Sequence, residues 1–152
     1  VKFIARRIMI CASEDVGNAD PMALTVAVSA AQAVERVGMP ESQIILAQAV
    51  TYVACAPKSN SAVNAITAAN QAVQQYRTSV PSHLQDAHYG GWAKLGRGTG
   101  YQYAHDYPNH YARQQYLPDE IKNARFYEPG DLGYEKTIRD YLNRIRGTED
   151  NI

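Results

Sequence analysis

Asp20-Pro21, Gly38, Pro40 and Pro57 cut the first 80 residues into four apolar stretches, each of a length that suits one helix. Asp is a favoured residue just before a helix, and proline is tolerated at the first helical position, where its missing N–H would have no partner anyway. Gly38 stands where the chain should stop winding. Helix two is therefore predicted from Pro21 to Val37. Before it, Phe3, Ile4, Ile8, Cys11 and Ala12 recur at helical spacing, and Ser13 to Gly17 closes that element with turn residues. After it, a third helix starts at Pro40-Glu41, runs through Ile44, Leu46, Val50 and Val53, and ends before Pro57. Ser59 or Ser61 caps a fourth, which reaches Arg77. Short turns between such helices place neighbours side by side and antiparallel.

Helix two (Met22, Leu24, Val26, Val28, Val34, Val37) and helix three (Ile44, Ile45, Leu46, Val50, Tyr52, Val53) are apolar over most of their circumference. One stripe is enough to seat a surface helix on a core. In a chain of 152 residues, two such helices are either wholly interior or offer a face to another subunit. Their many alanines fit both arrangements.

Beyond Val80-Pro81 the character changes. Short helical turns are expected at Leu84–His88 and Trp92–Leu95 around Gly90-Gly91, followed by a segment from Gly96 to Tyr116 that is dense in Gly, Tyr and His. Rings with polar tips anchor irregular backbone, which flexible linkers cannot do, so this reads as a long ordered loop. Gln114–Leu117 and Arg125–Tyr127 are expected to pair as a small hairpin around Pro118-Asp119-Glu120. A last helix follows Gly133 and stops at Gly147, with Tyr134, Ile138, Tyr141, Leu142 and Ile145 on one face and Glu135, Lys136, Arg139, Asp140 and Arg144 on the other. The fold class is mainly α: a bundle of four N-terminal helices over residues 1–80, then a loop-rich extension and final helix over 81–152.

Charge excludes some functions. Fifteen basic and fifteen acidic residues cancel, so no global field draws in nucleic acid or anionic lipid, although a local basic patch remains open. The longest apolar run, Ile44 to Ala56, is interrupted and falls short of the roughly 18 residues of a membrane span. Cys11 and Cys55 share no metal or redox spacing and read as buried thiols. The chain begins on Val1 and enters an amphipathic pattern at once, as a piece of a longer protein would.

Several constellations in the loop invite chemistry. His105, Asp106 and His110 contain metal-ligand types, but an i, i+5 histidine pair in a proline-containing loop lacks the spacing that puts two imidazoles on one helix face. His105-Asp106 beside Tyr107 or Tyr111 suggests a tyrosine nucleophile with a base, without the arginine cluster that phosphate would need. Gly96-Arg97-Gly98-Thr99-Gly100 resembles a phosphate cradle but lacks the following lysine and preceding strand. Lys94, Arg97, Arg113, Lys122 and Arg125, interleaved with tyrosines, are suited to stack on and track a single strand. The candidate contact set for DNA or a partner is Lys94, Arg97, Tyr101, Tyr103, His105, Tyr107, Arg113 and Tyr116. Against it stands the plainer reading, in which the tyrosines pack the loop down and the charges face water.

The succession Ile4-Ala5-Arg6-Arg7, Ala12 through Pro21, Gly38-Met39-Pro40-Glu41, Ala56-Pro57-Lys58-Ser59-Asn60, His105-Asp106-Tyr107-Pro108, Gln115-Tyr116-Leu117-Pro118 and Tyr127-Glu128-Pro129 resembles the C-terminal region of the RarA family, also called MgsA. These are replication-associated recombination AAA+ ATPases related to clamp loaders. The resemblance covers essentially the whole chain. One departure is Ala104, where the family pattern leads us to expect proline before His-Asp, which bears on local loop geometry.

The resemblance implies a helical, collar-like fold, with residues 1–152 forming a single C-terminal oligomerisation domain of a longer protein. It implies a homotetramer. The family's ATPase core, with its ATP and Mg sites, lies N-terminal to this region, so no catalytic, cofactor-binding or metal residue carries over and the chain by itself is not expected to be an enzyme. The parent is expected to act on DNA at stalled forks in the bacterial cytoplasm, near the nucleoid, with single-stranded DNA-binding protein as a partner. A direct single-stranded DNA contact through the tyrosine-rich loop is the alternative.

Overall fold

A computed structural model describes residues 1–86 and 96–147. Five α-helices are present among them: α1 Lys2–Cys11, α2 Met22–Val37, α3 Ser42–Cys55, α4 Ser61–Gln75 and α5 Tyr134–Arg146. The chain divides into two compact units, one of Val1–Thr67 with Tyr127–Ile152 and one of Ala68–Phe126, so the boundary falls within α4. The mainly helical class expected from the sequence is the one observed.

The punctuation acts close to where the residue types place it. Asp20 accepts from the Met22 N–H at 3.0 Å, which caps the start of α2, and its other carboxylate oxygen accepts from the Tyr52 hydroxyl of α3 at 2.9 Å. Gly38 ends α2 at a φ of 76°, in the left-handed region that favours glycine. Ser42 is buried at the start of α3, and its hydroxyl donates to the carbonyls of Val34 and Gly38, joining the end of one helix to the beginning of the next. Lys58 does the equivalent at the far end of α3, donating to the carbonyls of Val53 at 2.8 Å and Ala54 at 3.1 Å, which would otherwise lack intrahelical partners. Of the two candidate caps for α4, Ser59 accepts from the Ser61 N–H at 3.2 Å. The first helix does not close at Ser13; it widens into a π turn over Ala12–Val16, which keeps Ala12 and Val16 in the core, and then tightens into a 3-10 turn over Gly17–Ala19.

The core of the first unit runs along three narrow seams. Ala5, Ile8, Ala12 and Val16 are buried on the first, Ala23, Ala27, Ala30 and Val34 on α2, and Leu46, Ala49 and Val53 on α3. Spacing of three and four residues is that of a single helical stripe, and alanine at most of these positions lets the axes approach closely. The larger apolar side chains of the same helices point elsewhere: Phe3, Ile4, Leu24, Val28, Ile44 and Val50 are all exposed. Helices α2 and α3 are therefore not wholly interior within this chain. Cys55 is exposed, contrary to the expectation for a free thiol, because it lies two residues beyond buried Val53 and so on the opposite side of α3.

In the second unit, Ala112 is the one buried residue among those described. The expected hairpin is absent: no strand occurs among the described residues, and Asp119–Ile121 winds as a 3-10 turn. Side chains take the bonds a ladder would have used. Gln115 donates to the Leu117 carbonyl and to Asp119, and the Tyr116 hydroxyl donates to the Ala112 carbonyl, which holds the first of the two segments in irregular backbone. Of the two short turns expected near Gly90-Gly91, Leu84–His88 does not begin at Leu84, which instead ends a 3-10 turn over Ser82–Leu84 with Gln85 extended after it; residues 87 and 88 and the whole of Trp92–Leu95 lie outside the described residues.

Candidate functional site

Three surfaces and clusters compete as the working part of this chain. The tyrosine-rich loop is ordered by polar contacts. Gln114 reaches across to Gln102, donating to its carbonyl at 3.0 Å and accepting from its N–H at 3.4 Å, so one side chain stands in for a strand partner. Further along, Asn109 and His110 both adopt positive φ, 56° and 52°, a conformation that costs non-glycine residues about 1–3 kcal/mol each and persists only where the surroundings fix it. That bend brings His110 beside His105, ring centres 4.9 Å apart, and His105 in turn lies 5.0 Å from the Tyr103 ring. Tyr111 and Tyr116 form a separate stacked pair at 6.3 Å.

The candidate contact residues thus fall into groups. Tyr103 and His105 are brought together, while Tyr116 belongs to the other ring pair. Tyr101, Tyr107 and Arg113 are exposed along the same segment, Arg97 is half-buried, and Lys94 lies outside the described residues. His105, Asp106 and His110 do not converge as a metal site, and no other group of three ligating side chains does so among the described residues. A nucleotide does not fit Gly96–Gly100 either. These residues form turns that do not open a helix, so the helix N-terminus on which a phosphate loop relies is missing.

A second cluster lies in the first unit and was hidden by its sequence context. Glu135, expected on the charged outer face of α5, is completely buried. Its carboxylate accepts from the Ser59 hydroxyl at 2.6 Å, the Ser61 hydroxyl, the Tyr127 hydroxyl at 3.0 Å and the Gly130 N–H at 2.8 Å. Tyr127 is itself held by an N–H of the Asn18 side chain at 3.3 Å. Burial pushes the Glu135 carboxyl up, but the four hydrogen bonds outweigh it and hold the group below the ordinary carboxylate value. Burial also raises Tyr127, chiefly, with its bond to Glu135 acting in the same direction.

Gly133 makes this arrangement possible. It has a φ of 56°, and a Cβ there would sit 2.1 Å from the Ala19 carbonyl oxygen. The chain can therefore turn into α5 only by pressing bare backbone against the loop before α2. A signal did exist in the sequence: Glu135, Ile138, Leu142 and Ile145 follow the three–four–three spacing of a buried seam. With every carboxylate oxygen occupied by a donor from the same unit, the cluster ties α5 to the α1–α2 and α3–α4 junctions.

The third feature is a groove of about 390 Å³ between α1 and α3, lined by Ile4, Ile8, Cys11, Val50 and Val53, with Arg7 and Asp15 at its margins. Phe3, at its edge, is 65% exposed. A second groove of about 430 Å³ lies between α2 and α3, lined by small residues including Ser29, Ala30, Ala33 and Ala49. No helix among the described residues is long and apolar enough to cross a membrane.

Comparison with known proteins matches this pattern to one family. The model described as MgsA AAA+ ATPase C terminal matches residues 1–146. An uncharacterized AAA domain-containing protein of Mycobacterium tuberculosis is 49% identical over 146 residues, 95% of this chain and 32% of that protein. Replication-associated recombination protein A of Bacillus subtilis is 44% identical over 147 residues, covering 95% of this chain and 35% of its own length. The protein of that name from Escherichia coli is 42% identical over 151 residues, 98% of this chain and 34% of the relative. The chain spans about a third of the length of the curated relatives it matches. A match along 146 residues, together with the helical fold, assigns the chain to the RarA/MgsA family of AAA+ ATPases, as its C-terminal domain.

Proposed function

We propose that this domain is the self-assembly and interaction platform of a DNA-dependent AAA+ ATPase that acts in replication, recombination and repair at stalled forks. It joins four copies, while ATP and Mg chemistry belongs to a core preceding it in the longer protein. DNA and a single-stranded DNA-binding protein are the partners of that whole, in the bacterial cytoplasm near the nucleoid. The observation that carries the reading is the inverted use of side chains on α1 to α3. Six of the eleven core residues are alanine, while Phe3, Ile4, Leu24, Val28, Ile44 and Val50 are left bare. Phe3, Ile4 and Val50 line one groove, and exposed apolar surface that gathers in this way marks an interface in proteins that are otherwise soluble. Sedimentation velocity on the chain over a range of concentrations tests it: association that tightens with concentration is expected, and a single monomeric boundary throughout removes the reading.

A second reading rests on the exposure of Tyr101, Tyr103, Tyr107 and Tyr116 along one segment that also carries Arg97 and Arg113. Flat rings and cations in alternation suit unstacked bases and phosphates. Anisotropy of a labelled oligonucleotide should then rise with protein and fall steeply with salt, and no change at low salt would discard the idea.

A further inference from the structure

The α1–α3 groove carries charge as well as apolar surface, and the charge is arranged to suit one occupant. Along α1 and the turn that follows, Arg7, Cys11 and Asp15 are spaced four residues apart on the groove side. Eight residues of helical rise separate Arg7 from Asp15 by roughly 12 Å, too far for the two to pair within one chain. Asp15 accepts a hydrogen bond from the Cys11 thiol, the main cause that raises that thiol's pKa, but neither Asp15 nor Arg7 has an ion-pair partner among the described residues; the ion pair on this helix is the exposed Lys2–Glu35. The remaining cation of the groove, Lys58, is already engaged by the carbonyls that end α3.

The asymmetry extends along the whole element. Lys2, Arg6 and Arg7 make its beginning basic, and Glu14 and Asp15 make its end acidic. Two copies laid parallel would oppose like charges. Laid antiparallel about a two-fold axis at Cys11, they bring Arg7 of each copy to Asp15 of the other, with Ile8 and Cys11 between the two ion pairs. A surface that pairs with itself in this way is what a closed two-fold interface requires. Phe3 and Ile4, 65% and 48% exposed in the single chain, extend the same groove wall beyond the Arg7 end of the contact.

We propose that a second copy of this chain occupies the α1–α3 groove, antiparallel and two-fold symmetric, with Arg7 of one copy against Asp15 of the other. The proposal rests on the self-assembly reading and locates one of its interfaces. In a tetramer with two kinds of two-fold interface, opening this one leaves dimers.

Charge exchange and cross-linking test it. Arg7→Glu and Asp15→Arg each set like charges face to face twice per interface, and each should raise the dissociation constant at least about tenfold and halve the mass seen by light scattering. The double variant restores opposite pairs and should recover the assembly. In a Cys55→Ser background, which leaves Cys11 as the one thiol, a short bis-maleimide should yield a covalent dimer, and the yield should fall with Arg7→Glu. Circular dichroism checks that each variant is folded. If the wild type assembles but neither charge reversal changes its mass and no Cys11 cross-link forms, this interface is wrong while self-assembly stands. A folded double variant that stays dissociated also overturns the pairing, and a monomeric wild type removes both proposals.

Discussion

In the first unit, eleven residues between Ala5 and Val53 form one buried apolar cluster, whereas the described part of the second unit buries Ala112 alone. The second unit holds its shape with side-chain bonds to backbone: Gln114 to Gln102, Tyr116 to Ala112, Gln115 to Leu117, and the His83 ring to the Gln115 carbonyl at 2.8 Å. Burial is cooperative, since each apolar residue depends on several others. Exposed hydrogen bonds each contribute only about 0.5–1.5 kcal/mol net and open locally. The two regions should therefore respond differently to the loss of a polar group. In the first unit such a loss unseats a helix, and in the second it loosens a turn.

The largest break is expected at Glu135. Glu135→Ala strands four donors, one of them fully buried and three half-buried, and should cost about 2–4 kcal/mol in urea unfolding. A loss under 1 kcal/mol would mean that the cluster does not hold α5. Next comes Gly133→Ala, which drives a methyl into the Ala19 carbonyl and should cost about 2–4 kcal/mol by the same measurement. In the second unit, Gln114→Ala should lower global stability by only about 1 kcal/mol while speeding hydrogen exchange from Gln102 to Tyr116. Equal effects of Glu135→Ala and Gln114→Ala would erase the distinction between the units.

Acid sharpens the same contrast. Glu135 titrates below the ordinary glutamate value of about 4.3, so its contribution to stability is complete above that pH. It is lost as the pH falls toward and through the lower folded value. Thermal unfolding of the wild type should weaken faster below about pH 4 than that of Glu135→Gln, which has no carboxylate to protonate there. Parallel pH profiles would contradict the assignment.

The helices were legible in the sequence because their ends are written in local chemistry: Asp20 as a cap, Gly38 as a left-handed stop and Pro57 as a terminator act on neighbours within a few residues. The family was legible for a similar reason, in strings such as His105-Asp106-Tyr107-Pro108 that survive without knowledge of their contacts. Side-chain partners separated by long stretches of chain were not. Glu135 sits in a run of charges and differs from Lys136 or Arg139 only in its register with Ile138, Leu142 and Ile145, and its partners Ser59 and Ser61 lie more than seventy residues away. Phe3 and Ile4 share helical spacing with Ile8, yet they fall just outside the seam of Ala5 and Ile8. The tyrosine-rich loop was readable as ordered, but the glutamine contacts that replace a hairpin leave no periodic trace.

Whether the bare apolar faces of the first unit are an interface is decided most directly by the solution mass of the wild-type chain, measured by light scattering at tens of micromolar, on the order of ordinary concentrations for weak assembly. Assembly as a tetramer predicts four times 16.8 kDa. A mass of 16.8 kDa at every concentration would contradict it.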